Sequence, residues 1–487
     1  MRHGKAAKRV ARVIIFVLIA AILLTGAMLV LTPKDFTAMT IYSEPHHSLD
    51  AVFVGSSHIM SAVSPLQLWR DEHFTSHVMY SWSQPIWTSY YQLKHLFKVQ
   101  SPRAVVVDAL GCSYGQFSFM PEQVDAVSNE FSLGMPMSIE RLQLALAMMR
   151  CQKTKMPMGT YVPLIKYHGR WQYLKEEDFI YAFKPLPHNV GKGYGPIYVN
   201  EGQIQVPNTS EGKIGKLNKY AEEYLYKLIK LCSDKQVKLV MMLTPHVFMH
   251  GEYEMYARVN EICQENDVPF INYNDDDLLK RSGFSFAEDM AEKEHVNYHG
   301  ARKLTRDMGK FLANEYGLSD IKHTDEQERI WNADLAIEER DEQNMELRLE
   351  AVPQLFAQKA SENGYILCVA TKGKLNQAGK ESARAFFTQL GLDDSILDKS
   401  GMQCAAIIKD GKIIFAEHGE NAKANAELLG KSFSVSASFD KANIAIDDKE
   451  HCRDREGINA VIYDSVSGKM IQSISFNAFD NYIAFTA

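Results

Sequence analysis

The sequence predicts an α/β protein. Its body reads as a doubly wound parallel sheet behind one N-terminal transmembrane helix, and a β-rich domain closes the chain. Three observations predict this. A charge-free apolar run of 19 residues, Val13–Leu31, lies near the start. From Asp50 to about Leu318, short continuous apolar runs alternate with helical patterns. From about Val352, closely spaced strand-like runs take over.

At 1.5 Å per residue the first run spans about 28 Å, enough to cross a hydrocarbon core. Arg2, Lys5, Lys8, Arg9 and Arg12 precede it with no acidic residue. The positive-inside rule then places residues 1–33 as a cytoplasmic basic tail and signal anchor. The body after Pro33 would be exported, making a single-pass protein of the cell membrane. A cleaved signal peptide competes, but the run is longer than the usual apolar region of about 7–15 residues.

Residues 34–320 form the expected α/β domain. Ala51-Val52-Phe53-Val54, Ala104-Val105-Val106-Val107 and Val237–Leu243 read as strands buried on both faces. Leu217, Tyr220, Ala221, Tyr224, Leu225 and Leu228 recur at helical spacing between two of them. In such sheets ligands meet the carboxyl ends of the strands, where Gly55-Ser56-Ser57-His58, Asp108 and Pro245-His246 fall. Residues 112–209, rich in Met, Tyr and Pro, read as an insertion that folds over the site.

Residues 321–350 carry ten acidic and four basic side chains, so 321–351 reads as a solvated acidic helical connector. Residues 352–487 follow as the β-rich domain. Strands are expected at 365–369, 405–408, 412–415, 432–436, 442–446 and 460–463, with a helix around 380–390. Asp410-Gly411 is a hairpin turn of the type that needs positive φ at both residues.

Composition excludes some functions. Lys plus Arg number 53 against 60 Asp plus Glu, a net charge of −7, which is a poor basis for nucleic-acid binding. The seven cysteines form no CxxC pair, so they suit small buried hydrophobes better than a zinc ribbon or a disulfide framework. No cofactor is expected.

Two segments carry chemistry. Val54-Gly55-Ser56-Ser57-His58 puts a serine in a tight turn after a strand, where its Oγ is exposed and following N–H groups face an oxyanion. Glu292-Lys293-Glu294-His295-Val296-Asn297-Tyr298-His299-Gly300-Ala301 precedes a helix whose apolar face is Leu304, Met308, Phe311 and Leu312. A carboxylate three residues before a histidine holds the imidazole in one tautomer. His295 and His299 also stand at i and i+4, as in zincins, but Val296 occupies the position of the zincin glutamate, and Gly300 suits a turn.

Taken together, the two segments resemble the SGNH/GDSL hydrolase superfamily over residues 48–318. Gly55-Ser56-Ser57-His58 stands where that family has G-D-S-L, and Glu292-x-x-His295-x-Asn297-x-x-Gly300-Ala301 where it has D-x-x-H-[LV]-N-x-x-G-A. The resemblance extends to membrane-anchored members of teichoic-acid D-alanylation and polysaccharide O-acetylation. It implies Ser57 as nucleophile, His295 as base and Glu292 as orienter. The family's Asp is Ser56 in the first block and Glu292 in the last, and its middle-block Gly and Asn donors have no clear counterpart. Ser81 and Asp108 fall near those blocks, and with His168, Arg170 and His246 they are candidate oxyanion or substrate-binding residues. Tyr167-His168-Gly169-Arg170-Trp171 pairs a guanidinium with an aromatic plate, which suits a sugar or anionic polymer as well as a packed surface.

Gly373-Lys374-Leu375-Asn376, Ile407–Lys412, Arg455-Glu456-Gly457-Ile458-Asn459-Ala460-Val461-Ile462-Tyr463-Asp464 and Ile474–Asn477 resemble the interleukin-like EMT inducer (ILEI) domain over residues 352–487. Glu456 interrupts its R-G-[IL]-N core. The resemblance implies carbohydrate binding or docking, and a purely structural domain is the other reading.

Two functions stay open. One is an extracytoplasmic esterase or O-acyltransferase acting on an acyl ester of a cell-surface glycan or teichoic-type polymer, with a membrane-bound acyl donor protein as a candidate partner. The other is an inactive scaffold of the same fold, with a glycan-binding C-terminal domain, serving in envelope assembly.

Overall fold

The computed structural model describes residues 2–34, 37–114, 134–152, 164, 167–184, 186–199, 204, 214–349, 352–374, 380–476 and 483–485. Much of the anticipated insertion, together with Leu375, Asn376 and Asn477 of the ILEI-like segments, lies outside the described residues. The chain divides into two units, Met1–Leu335 and Ala336–Ala487.

The first unit opens with α1 (Arg2–Leu31), which contains an apolar span, Val10–Leu31, long enough to cross a membrane and exposed over most of its length, up to its half-buried C-terminal end. A five-stranded sheet follows, built from β1 (Ala51–Gly55), β2 (Ser76–Tyr80), β3 (Ala104–Asp108), β4 (Lys238–Leu243) and β5 (Phe270–Asn272) in the order β2-β1-β3-β4-β5. Every pairing is parallel. The alternation of side chains along each strand feeds two cores. Val52, Val54, Val105, Val107 and Met241 face one side, where α4 (Ile86–Leu96), α7 (Lys219–Asp234) and α8 (Glu252–Glu265) pack. Phe53, Val106, Val240 and Met242 face the other, against α2 (Ser57–Ala62), α3 (Pro65–Glu72) and α10 (Tyr298–Tyr316). Each such side chain removed from water contributes about 1.5–3 kcal/mol. The strand order reverses between β1 and β3, so a crevice opens at their carboxyl ends.

Among the described residues the unit also holds α5 (Ile139–Gln152), α6 (Glu176–Ile180) and α9 (Asp276–Ser282). Part of the anticipated insertion covers the edge strand β2, where Val78 N donates to Lys192 O at 2.8 Å. Gly193 (φ +85°) must be glycine there, because a Cβ would stand 2.0 Å from Val78 O. Lys192 is fully buried, bonded to Glu44 Oε1 (3.1 Å) and Asp334 Oδ2 (2.9 Å), with Trp331 4.8 Å below its ammonium.

The acidic connector differs from the solvated helix expected of it. It forms α11 (Asp325–Gln343) and α12 (Met345–Leu349), and its buried residues belong to the two bodies. Trp331 packs on Trp69, which also donates to Asn332 Oδ1 at 2.9 Å, in the first unit. Arg340, Asn344 and Leu347 belong to the second.

In the second unit α13 (Pro353–Ala360) precedes two antiparallel sheets. One has six strands, β15-β14-β13-β6-β7-β8; the other has four, β12-β11-β10-β9. They comprise β6 (Tyr365–Lys372), β7 (Gln403–Lys409), β8 (Lys412–Gly419), β9 (Asn421–Leu428), β10 (Lys431–Ser438), β11 (Ala442–Ile446), β12 (Lys449–Glu450), β13 (Gly457–Asp464), β14 (Lys469–Phe476) and β15 (Ile483–Phe485). Ile366, Cys368 and Ile407 meet Phe433, Val435 and Ile444 between the sheets. The other face of the larger sheet lies under α13 and α14 (Lys380–Leu390). Asp410 (φ 52°) and Gly411 (φ 72°) make the expected β7–β8 turn. All seven cysteines are free; Cys151 and Cys452 are half-buried and the rest buried.

Candidate active site

The site begins where β1 ends. Gly55 lies so close to β3 that a Cβ on it would stand 2.2 Å from Asp108 Cβ, so only glycine fits. The chain turns at Ser56, the N-cap of α2, whose hydroxyl accepts from His58 N (3.2 Å) and donates to Asp108 Oδ2 (2.6 Å). Ser56 N donates to the same Oδ2 at 3.1 Å, and Leu110 N to Oδ1 at 3.0 Å. Burial holds the Asp108 carboxyl above its ordinary range, opposed by these bonds. Ser57, 7% exposed, is thereby fixed as the first residue of α2.

Opposite it stands a tight loop between Met290 and Val296, which pair antiparallel. Ala291 N donates to His295 O at 2.9 Å, and Val247 N to Lys293 O at 2.9 Å ties the loop to the segment after β4. Within it the His295 ring bonds Glu292 Oε1 through Nδ1 and Ser57 Oγ through Nε2, the latter at 2.8 Å. Glu292 Oε2 accepts from Glu294 N at 2.7 Å. Burial would raise the Glu292 carboxyl, but the bonds from His295 and Glu294 N leave it below its usual range.

The rest of the second motif is scaffolding. Asn297 caps α10, accepting from Gly300 N at 3.0 Å and donating to Glu288 O at 2.7 Å. Gly300 lies in the first helical turn rather than in the turn expected of it, and a Cβ there would stand 2.4 Å from Asp289 O. His299 is exposed on the same turn, edge-on to Tyr298.

The secondary candidates separate. His246 comes to the site, with its ring 5.4 Å from that of His58. Burial opposes its charging, yet Glu252 Oε1 at 3.3 Å and Thr244 O at 3.0 Å hold its pKa above the usual value. Ser81 is adjacent, but its N–H donates to Gly55 O (3.2 Å) and its hydroxyl to Gln84 Oε1 (2.5 Å). The Asp108 carboxylate, read from sequence as a substrate contact, is occupied by the Ser56 turn. Arg170 donates to Asp178 Oδ1 (2.7 Å) and to Leu31 O (3.3 Å), at the end of α1. His168 is exposed two residues earlier, at the start of the same 3-10 turn.

His58 follows Ser57 in the first motif, and sequence alone assigns it no role. It is buried, 4.8 Å from the His295 ring, and its Nδ1 lies 3.3 Å from Thr244 Oγ1. Burial first, then the neighbouring imidazoles, pull its pKa well below the usual value. Its position directly after Ser57 was the available signal. Among the described residues no cluster of metal-capable side chains is present. Comparison of the chain with models of known protein families finds no match, and comparison with curated proteins finds none.

Proposed function

We propose that the chain is a membrane-anchored serine esterase or O-acyltransferase of the SGNH type, acting on an acyl ester of an envelope glycan or teichoic-type polymer. The observation that carries this reading is the relay from Ser57 Oγ to His295 Nε2 at 2.8 Å, continued from Nδ1 to Glu292. It joins two motifs 238 residues apart at the switch point of the sheet. Ser57 Oγ attacks the acyl carbonyl while His295 takes its proton, and Glu292 stabilises the imidazolium. His295 returns the proton to the departing alcohol oxygen, leaving acyl-Ser57. Water or a sugar hydroxyl then gives its proton to His295 and attacks the acyl carbon, and His295 passes that proton to the departing Ser57 Oγ, restoring both residues. The Ser57 N–H, at the first position of α2, has no intrahelical acceptor and faces the oxyanion. The basic segment before the apolar span orients the N-terminus to the cytoplasm and the body outward.

A fluorophosphonate probe tests the reading. Wild type is expected to label on Ser57, Ser57→Ala to lose the label, and His295→Gln to label far more slowly. Equal labelling of wild type and Ser57→Ala overturns it.

One observation favours the inactive scaffold. The His58 and Ser81 N–H groups already donate to Ser56 Oγ and Gly55 O, leaving few oxyanion donors. An unlabelled wild type that still binds glycan through its second unit would select that reading.

A further inference from the structure

The end of α1 is built into the body. The 3-10 turn His168–Tyr173 and α6 pack against it. Arg170 donates to Leu31 O at 3.3 Å, while Lys34 Nζ donates to Leu29 O at 2.5 Å and to Thr32 O. The last carbonyls of a helix lack intrahelical donors and carry the negative end of its dipole, so cations belong there, above all where the helix leaves hydrocarbon.

The neighbouring segment reaches back along the apolar span. The Phe183 ring lies 4.0 Å from where a Cβ on Gly26 would stand, five residues before Leu31 and so about 7.5 Å inside the span. Phe183 is 71% exposed, and Trp171, Tyr173 and Phe179 are 66%, 73% and 54% exposed. Such rings at a helix end are those of a membrane–water boundary.

The same segment borders a cavity of about 400 Å³ whose wall includes α1 itself at Met28 and Leu29, with Ala182 from the neighbouring segment. That volume suits a small-molecule site. Lys34, Arg141 and Lys184 line it, and among the described lining residues none is acidic. With α1 in a bilayer, that wall borders lipid, and the three cations favour an anion.

We propose that this cavity is a lipid site that takes an acyl chain of an anionic glycerophospholipid from the surrounding leaflet, with Lys34, Arg141 and Lys184 facing the phosphate. The proposal rests on the membrane-anchor reading of α1.

The test uses full-length protein in phosphatidylcholine nanodiscs carrying phosphatidylglycerol with a diazirine in one acyl chain. After irradiation, labelled peptides are mapped by mass spectrometry. Labels are expected on residues 25–34 and 181–186. Exposed Lys184→Gln should lower them about fivefold, the share expected of one lysine at an anionic headgroup. Ala182→Trp, which fills the cavity, should abolish them, while labels on residues 13–24 stay constant. Labels confined to 13–24, or indifferent to both variants, overturn the site and leave the anchor standing. Equal labelling by diazirine phosphatidylcholine overturns the anionic preference. No label anywhere, with release of the protein by alkaline carbonate, overturns the anchor as well.

Discussion

The Asp108 carboxylate reaches across from β3 and receives the Ser56 hydroxyl at 2.6 Å, so the turn that presents Ser57 is held by the neighbouring strand. This makes strand pairing and the placement of the proposed nucleophile one event. Gly55→Ala is expected to destabilise the first unit by at least about 3 kcal/mol, since backbone must move to relieve the 2.2 Å contact. Asp108→Ala should cost about 2 kcal/mol or more by stranding buried donors of Ser56 and Leu110. Chemical denaturation of both variants measures this, and near-wild-type midpoints would contradict it.

Glu292 acts on the proposed reaction only through His295. Glu292→Gln keeps the side chain's shape but loses the charge that stabilises the imidazolium. Turnover of a soluble acyl ester is expected to fall by about 10²–10⁴, with a melting temperature within about 2 °C of wild type. An unchanged rate would remove Glu292 from the relay.

The pH dependence of stability follows from three buried histidines. Burial, then the charges of His295 and His246, depresses His58; burial, then Lys192, brings His77 down to about 3. Below the unfolded value near 6.5 the unfolded chain binds protons that these two refuse, so stability falls with pH, by about 2 kcal/mol between about pH 6.5 and about pH 5.5. His246 is raised, so its contribution is complete below about 6.5 and is lost as pH rises through its folded value. The first unit should therefore be most stable near neutrality. All five tryptophans precede residue 335, so their fluorescence follows this unit alone. His58→Gln and His77→Gln should each remove about half the acid slope, and a flat profile would contradict the assignment.

Much of this was legible because it depends on local pattern. β1 and β3 are unbroken apolar runs, and Glu292-x-x-His295 places two partners within one loop. β2 was not foreseen, because Ser76 and His77 are polar yet fully buried on both sides of the strand. β9 was missed because Ala422 and Ala424 supply its inward face with little strand propensity. The role of Asp108 was hidden because it requires β1 and β3 to be neighbours. Arg170 and Trp171 suited a sugar, an anionic polymer or a packed surface alike, whereas the guanidinium serves the end of α1, a partner 139 residues away.

The boundary of the second unit lies before Val352. Sequence texture placed it at Val352, yet Asp464 on β13 is wholly buried and its main partners come earlier. Arg340 donates Nε and Nη2 to the two carboxylate oxygens at 3.0 and 3.1 Å, and Asn344 Nδ2 donates at 2.8 Å. Arg340 also lies 4.2 Å over the Tyr365 ring, Tyr365 donates to Asn344 Oδ1 at 2.6 Å, and Leu347 is buried beside Phe356. A fragment of residues 352–487 leaves Asp464 with only Val466 N and Ser467. Stranding that charge costs about 3–5 kcal/mol, and losing Leu347 about 2 more. Residues 336–487 should therefore melt cooperatively, and residues 352–487 should melt at least about 10 °C lower or fail to fold. Burial would raise Asp464, but its hydrogen bonds leave the carboxyl below its usual range. Its contribution is thus present above the unfolded value near 3.9 and lost as pH falls below it, so the gap between the fragments should narrow in acid. Calorimetry of both fragments from about pH 7 to about pH 3 decides it, and equal melting temperatures at neutral pH would return the boundary to Val352.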